Sequence, residues 1–140
     1  MPAFGRTSNR RLDTCHPDLQ RLFREVVKVF DCSVLYGVRT TEEQQALWAK
    51  GRTGPGEIVT YCDGIIKKSN HQAREEGGLS LAADVVPYYA EPPHIRWDDD
   101  TRFYRFAGVV EAYAWAMALN LKWGGDFRRL KDLPHWELIL

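Results

Sequence analysis

His71, in Lys68-Ser69-Asn70-His71, Asp84, in Leu81-Ala82-Ala83-Asp84-Val85-Val86, and His135, in Asp132-Leu133-Pro134-His135-Trp136-Glu137-Leu138, are the side chains best suited to chemistry. Two histidines and one carboxylate form a common catalytic zinc set, with water as the fourth ligand. Zinc in such a site brings the pKa of its water to about 7, so hydroxide is available at neutral pH. Asp84 interrupts an apolar run, and a lone buried carboxylate is costly unless it is paired or bound to a metal. Spacing alone does not establish a site, because the three residues lie 13 and 51 positions apart. On spacing alone, structural histidines and a capping aspartate are the simpler reading. Glu137 shares the strand face of His135 by alternation, which brings it within reach of the same point as a rival base. Arg39 reads as a partner for Glu42 or Glu43, and Asp132 as a turn residue. His16 and His94 flank prolines and read as cap or surface residues. The tryptophans read mainly as core, with Trp123 and Trp136 placed to line a cleft.

The elements that hold these residues follow from periodicity. Leu19, Leu22, Phe23, Val26, Val27 and Phe30 recur at helical spacing, which predicts a helix over residues 17–30 with Pro17 in its first turn and His16 as a cap. Residues 32–38 read as a strand. Thr40 and Glu43 form a capping-box pattern for a helix running to residue 50 and closed by Gly51. Residues 51–80 are rich in glycine and read as a long functional loop, with a short strand at 58–61. Residues 81–87 read as a buried strand and 88–101 as a surface loop. A helix is expected over 102–119, ended by Asn120, then a turn at Trp123-Gly124-Gly125-Asp126 and a final strand from His135 to Leu140. With no repeat, linker or low-complexity segment, residues 1–140 read as one small α+β domain, without a separate wall- or ligand-binding module.

Composition narrows the functional classes. The 140 residues are 44% hydrophobic and 27% charged, as in ordinary globular domains, so disorder is excluded. The 19 basic and 19 acidic residues balance, which argues against a nucleic-acid partner, since such binding draws on a basic excess. The N-terminal residues carry no apolar run of a secretory signal, and no stretch is long enough to insert in a membrane. A cytoplasmic place of synthesis is therefore expected. Cys15, Cys32 and Cys62 are odd in number and lack a C-x-x-C pair, so reduced thiols are expected; Cys62 lies near His71 in sequence.

Larger motifs appear in a fixed order: Gly37-Val38-Arg39-Thr40, Gln44, Gly51-Arg52-Thr53, Val59-Thr60, Ser69-Asn70-His71, Ala82-Ala83-Asp84-Val85, Trp123-Gly124-Gly125-Asp126 and Asp132-Leu133-Pro134-His135-Trp136-Glu137-Leu138. Together they resemble the phage endolysin L-alanyl-D-glutamate endopeptidases, within the wider family of zinc D-alanyl-D-alanine carboxypeptidases and dipeptidases. The resemblance spans residues 15–140. It implies a central antiparallel sheet flanked by helices, with a zinc site on the sheet. It implies that His71, Asp84 and His135 are the zinc ligands, that Asp132 is the catalytic carboxylate, and that Arg39 binds the substrate carbonyl and its oxyanion. Ser69 and Trp136 would contact substrate or support the site. The implied activity is cleavage of the L-Ala–D-Glu bond of peptidoglycan stem peptides by a monomeric lysis enzyme, made in the host cytoplasm and reaching the wall through a holin. A D-alanyl-D-alanine carboxypeptidase or dipeptidase is the alternative on the same fold, and a non-catalytic wall-peptide-binding module the alternative of another class. One departure stands out. The family keeps its histidine and aspartate about seven residues apart with a glycine before Ala-x-Asp, whereas here residues 73–78 look inserted and Ser80 replaces the glycine. Loops accept insertions at small entropic cost, so ligand geometry can survive while the cleft beside it changes.

Overall fold

The computed structural model describes all 140 residues, Met1–Leu140. Four helices, α1 (Arg6–Leu12), α2 (Pro17–Val26), α3 (Thr41–Ala49) and α4 (Asp100–Ala116), accompany four strands, β1 (Cys32–Tyr36), β2 (Ala82–Pro87), β3 (Leu121–Trp123) and β4 (His135–Leu138). The strands form one antiparallel sheet in the order β1-β2-β4-β3. This is the α+β architecture with a central antiparallel sheet that the resemblance implies. No helix is long and apolar enough to cross a membrane.

The helix signals act as physical chemistry demands. His16 caps α2, its Nδ1 accepting the Asp18 N–H at 3.1 Å, and Pro17 occupies the first turn. Leu19, Leu22, Phe23 and Val26 then bury one face. α2 is shorter than the periodicity predicts. After Val26 the chain tightens into i→i+3 bonds, Lys28 to Glu25 and Val29 to Val26, and Phe30 ends packed on Phe106 with ring centroids 5.2 Å apart. In α3 both halves of the Thr40–Glu43 capping box form. Gly51 follows with φ +74°, and a Cβ there would meet the Ile58 nitrogen at 2.6 Å, so a side chain is excluded twice over. α4 is capped by Asp99, which accepts the Arg102 N–H and the Tyr89 hydroxyl.

Three expectations need correction. α4 is ended by Ala118, with φ +57°, rather than by Asn120. Asn120 is already committed to the sheet, its carbonyl accepting the Ile139 N–H at 3.0 Å. Residues 58–61 form no strand. Side chains hold Thr60 and the adjacent Cys62 instead: buried Gln44 donates to Thr60 Oγ1 (3.2 Å) and the Cys62 carbonyl (2.8 Å), and Arg52 donates to the Thr60 carbonyl (3.0 Å). Trp136 does not line the cleft. It is fully buried, stacked on Trp123 with centroids 5.8 Å apart, because the residues flanking it in β4 take the opposite face. Trp136→Ala should therefore cost about 3–5 kcal/mol of stability, read by denaturant unfolding. Helix α1 and strand β3 carry too few apolar positions to have been read from pattern.

Candidate metal centre

Sheet register brings the first two polar groups together. In the β2–β4 ladder Asp84 stands directly opposite His135, and cross-strand neighbours lie close enough for their side chains to meet. A slip of one residue would turn either side chain to the other face. Next to Asp84, β1 carries an irregularity: Val34 pairs with Val85 and Tyr36 with Asp84, leaving Leu35 unpaired. The third group arrives from the long loop. His71 is pinned by its own backbone, its N–H donating to Ser69 Oγ at 3.2 Å and its carbonyl accepting the Arg39 N–H at 2.8 Å.

The ring tautomers are fixed by partners that only accept. His71 Nδ1–H donates to the Gly37 carbonyl at 2.8 Å, and His135 Nε2–H donates to Glu137 Oε1 at 2.8 Å. That leaves His71 Nε2 and His135 Nδ1 as lone pairs. They face each other at 3.2 Å, and Asp84 Oδ1 lies 3.2 Å from the first and 3.4 Å from the second. All three residues are buried. Three acceptor atoms converging in a buried site repel unless a proton or a metal cation sits among them. A tetrahedron with zinc–ligand bonds of about 2.0–2.1 Å has edges of about 3.3 Å, so the triangle fits one face of zinc coordination. The open face leaves room for water or substrate.

Charge in the cluster responds to the same geometry. Burial alone would raise the Asp84 pKa, but hydrogen bonds with His135 and His71 hold it well below the usual carboxylate range. Burial works against a charge on His135, yet Asp84 and Glu137 raise its pKa to about 9. The metal-free protein at pH 7 therefore holds a proton that a zinc ion bound there would have to displace. Zinc binding at pH 7 should release about one proton, seen calorimetrically in buffers of different ionisation enthalpy. Because this folded-state pKa is raised, apparent zinc affinity should climb with pH up to about 9, by roughly a hundredfold from pH 7. A pH-independent affinity would refute that assignment of the proton.

Asp132, Arg39, Ser69 and Glu137 all line one cleft of about 480 Å³ with His71 and His135. Asp132 Oδ2 lies 4.0 Å from His135 Nδ1 with its side chain 47% exposed. Its pKa is raised, first by burial and then by Asp84, against the lowering pull of His135, His71 and Arg39. Arg39 pairs with neither Glu42 nor Glu43; it donates to Gln44 Oε1 at 2.8 Å. Glu137 shares the face of His135, as alternation requires, but it engages the ring nitrogen away from the triangle. Its other oxygen accepts Asn70 Nδ2–H at 2.6 Å. Burial would raise its pKa, but the bond with His135 lowers it. Glu137 is thus a partner that orients a histidine. Sequence reasoning missed the anchoring by Gln44 and the Asn70 contact with Glu137, which joins residues 67 positions apart. Outside the cluster, His94 stacks on Tyr88, and Cys62 lines the cleft half-buried.

A glycine shapes the cleft. A Cβ on Gly124 would lie 2.2 Å from the Asp132 carbonyl oxygen and 2.8 Å from His135 Cβ. Gly124→Ala must therefore push the Asp132 segment outward. A displacement near 1 Å should lower kcat by about 100-fold. Steady-state kinetics beside a zinc assay will tell this from metal loss.

A sequence profile of the phage L-alanyl-D-glutamate peptidases matches residues 2–137. The chain belongs to this family. It is also similar to the peptidoglycan L-alanyl-D-glutamate endopeptidase CwlK of Bacillus subtilis (strain 168), with 33% identity over 114 residues. Those residues are 80% of this chain and 63% of CwlK, so the chain spans less than two thirds of that relative's length. The fold is similar to the crystal structure of the Serratia marcescens L-Ala D-Glu endopeptidase ChiX, with a TM-score of 0.67. That match covers 99% of this chain and 91% of ChiX at 23% identity, and at that identity it speaks to fold.

Proposed function

We propose that this chain is a zinc-dependent endopeptidase that cuts the L-Ala–D-Glu bond of peptidoglycan stem peptides and serves as a phage lysis enzyme. The observation that carries the reading is the convergence of His71 Nε2, Asp84 Oδ1 and His135 Nδ1 into a zinc-sized triangle, in a chain of this family. The family and the name of CwlK support the choice of bond. His71, Asp84 and His135 would hold the ion, which supplies a Lewis acid and a water of pKa about 7.

The chain's own residues do the rest. The stem peptide lies along the cleft, its scissile carbonyl beside Arg39. The guanidinium, held by Gln44, donates to the carbonyl oxygen and stabilises the negative charge that develops there. Asp132 takes a proton from the attacking water and returns it to the departing D-Glu amine. In the metal-free protein, burial first and then Asp84 raise its pKa, the direction that favours a carboxylate passing a proton on. Ser69 holds the His71 backbone. Access to the wall from the cytoplasm would depend on a holin, and the enzyme would act as a monomer.

The test is digestion of purified peptidoglycan by zinc-loaded protein, with and without a chelator, followed by mass spectrometry. New peptides beginning at D-Glu, lost on chelation, are expected. Release of D-Ala alone would move the chain to the carboxypeptidases. Binding of wall peptides without any product would make it a non-catalytic module.

A further inference from the structure

Residues 73–78, between the first two candidate ligands, connect back to the third through Asn70 and Glu137. Arg74, in that segment, donates from Nη2 to Asn70 Oδ1 at 2.5 Å and from Nη1 to the Ser69 carbonyl at 3.2 Å. Asn70 donates from Nδ2 to Glu137 Oε2 at 2.6 Å. Glu137 Oε1 accepts Nε2–H of His135 at 2.8 Å, leaving His135 Nδ1 in the triangle. The orientation of the Asn70 amide is not arbitrary. A guanidinium only donates and a carboxylate only accepts, so Oδ1 must face Arg74 and Nδ2 must face Glu137. The chain of bonds therefore has one direction, from an exposed cation through an amide and a carboxylate to a buried imidazole.

We infer that Arg74 and Asn70 are positioning residues for the metal centre, coupling the inserted segment to His135 through Glu137; the inference rests on the zinc reading of the site. Partners behind a ligating histidine fix its ring and raise its basicity. Glu137 alone is free to rotate about its terminal torsion. Asn70 occupies its second oxygen and fixes the carboxylate plane, and Arg74 prevents the Asn70 amide from flipping. The insertion, on this account, does more than widen a loop. It completes a support that the chain's other segments leave open at Asn70 Oδ1.

Zinc affinity, measured by chelator competition, and the visible spectrum of the cobalt-substituted protein test this without relying on activity. Glu137→Gln should weaken zinc by roughly 10–100-fold, the range for partners behind a ligating histidine. Arg74→Ala, one bond further out and exposed, should weaken it by roughly 3–10-fold and shift the cobalt bands. Arg74→Lys should recover most of the loss, since it keeps a charged donor. Arg74→Ala should add nothing once Glu137→Gln is present, because both act on the same bond. Zinc affinity in Arg74→Ala within about twofold of the parent, or losses that add in the double variant, would overturn the relay. A change confined to KM would likewise overturn it, assigning the insertion to the cleft wall. A parent protein that binds no zinc would overturn the zinc reading itself, and the relay with it, before any variant is compared.

Discussion

Asp132→Asn is expected to keep its zinc and lose turnover by about 100- to 10,000-fold, the range for removing a positioned proton-transfer group. The substitution keeps the shape of the side chain and removes only its ability to carry a proton. Asp132 stands 4.0 Å from His135 Nδ1 at the open side of the triangle, so no ligand bond is lost. Its titration should appear as the acid limb of kcat/KM. That limb should vanish in the variant. The contrast with Glu137→Gln discriminates the two carboxylates. The Glu137 variant should lose zinc affinity first and recover activity at high zinc, whereas no zinc concentration rescues Asp132→Asn. Turnover within tenfold of the parent would remove Asp132 from the mechanism.

Asp84→Asn carries the second large effect. It keeps the volume of a buried β2 residue but withdraws the only negative charge in the triangle. Zinc affinity should fall by more than the roughly 100-fold upper bound for partners behind a ligand, since a ligating oxygen is itself changed. Inductively coupled plasma analysis after dialysis should find the variant depleted. The proton balance should change with it. Asp84 is a main reason the His135 pKa stands near 9, so the variant should hold less of that proton at pH 7 and release less than one on zinc binding. The metal-free parent should show the matching sign in stability. A depressed carboxylate pKa contributes stability above the unfolded value and loses it as pH falls, so acid unfolding should begin earlier in the parent than in Asp84→Asn relative to their stabilities at pH 7. Retention of full zinc by Asp84→Asn would show that the triangle is not the metal site.

Much of the fold was legible because the local signals agree with the tertiary outcome. Thr40 and Glu43 cap α3 by direct contact across three residues, and Pro17 with His16 starts α2; neither depends on the rest of the chain. The α2 face survives because Leu19, Leu22, Phe23 and Val26 have a single way to be buried together. Two of the misreadings share one cause. Residues 58–61 have β-forming side chains, but Arg52 takes the Thr60 carbonyl and Gln44 the neighbouring Cys62 carbonyl from outside any ladder. Asn120 suits a helix end, but β4 claims its carbonyl. In each case a partner distant in sequence outbids the local preference.

The same division runs through the site. The identities and order of His71, Asp84, Asp132 and His135 are properties of the sequence, and with the surrounding motifs they were enough to name the family. Residue type fixes which atoms can ligate or carry protons, and no folding is needed to know it. Which nitrogen of each histidine faces the centre was decided by the Gly37 carbonyl and by Glu137. The opposition of Asp84 and His135 was decided by strand register. The role of Glu137 was decided by a ring nitrogen that turned one way and not the other, and the reach of Arg74 by a loop folding back on Asn70. Such facts depend on groups tens of residues apart meeting within hydrogen-bond distance, and only the assembled sheet and its loops fix those distances.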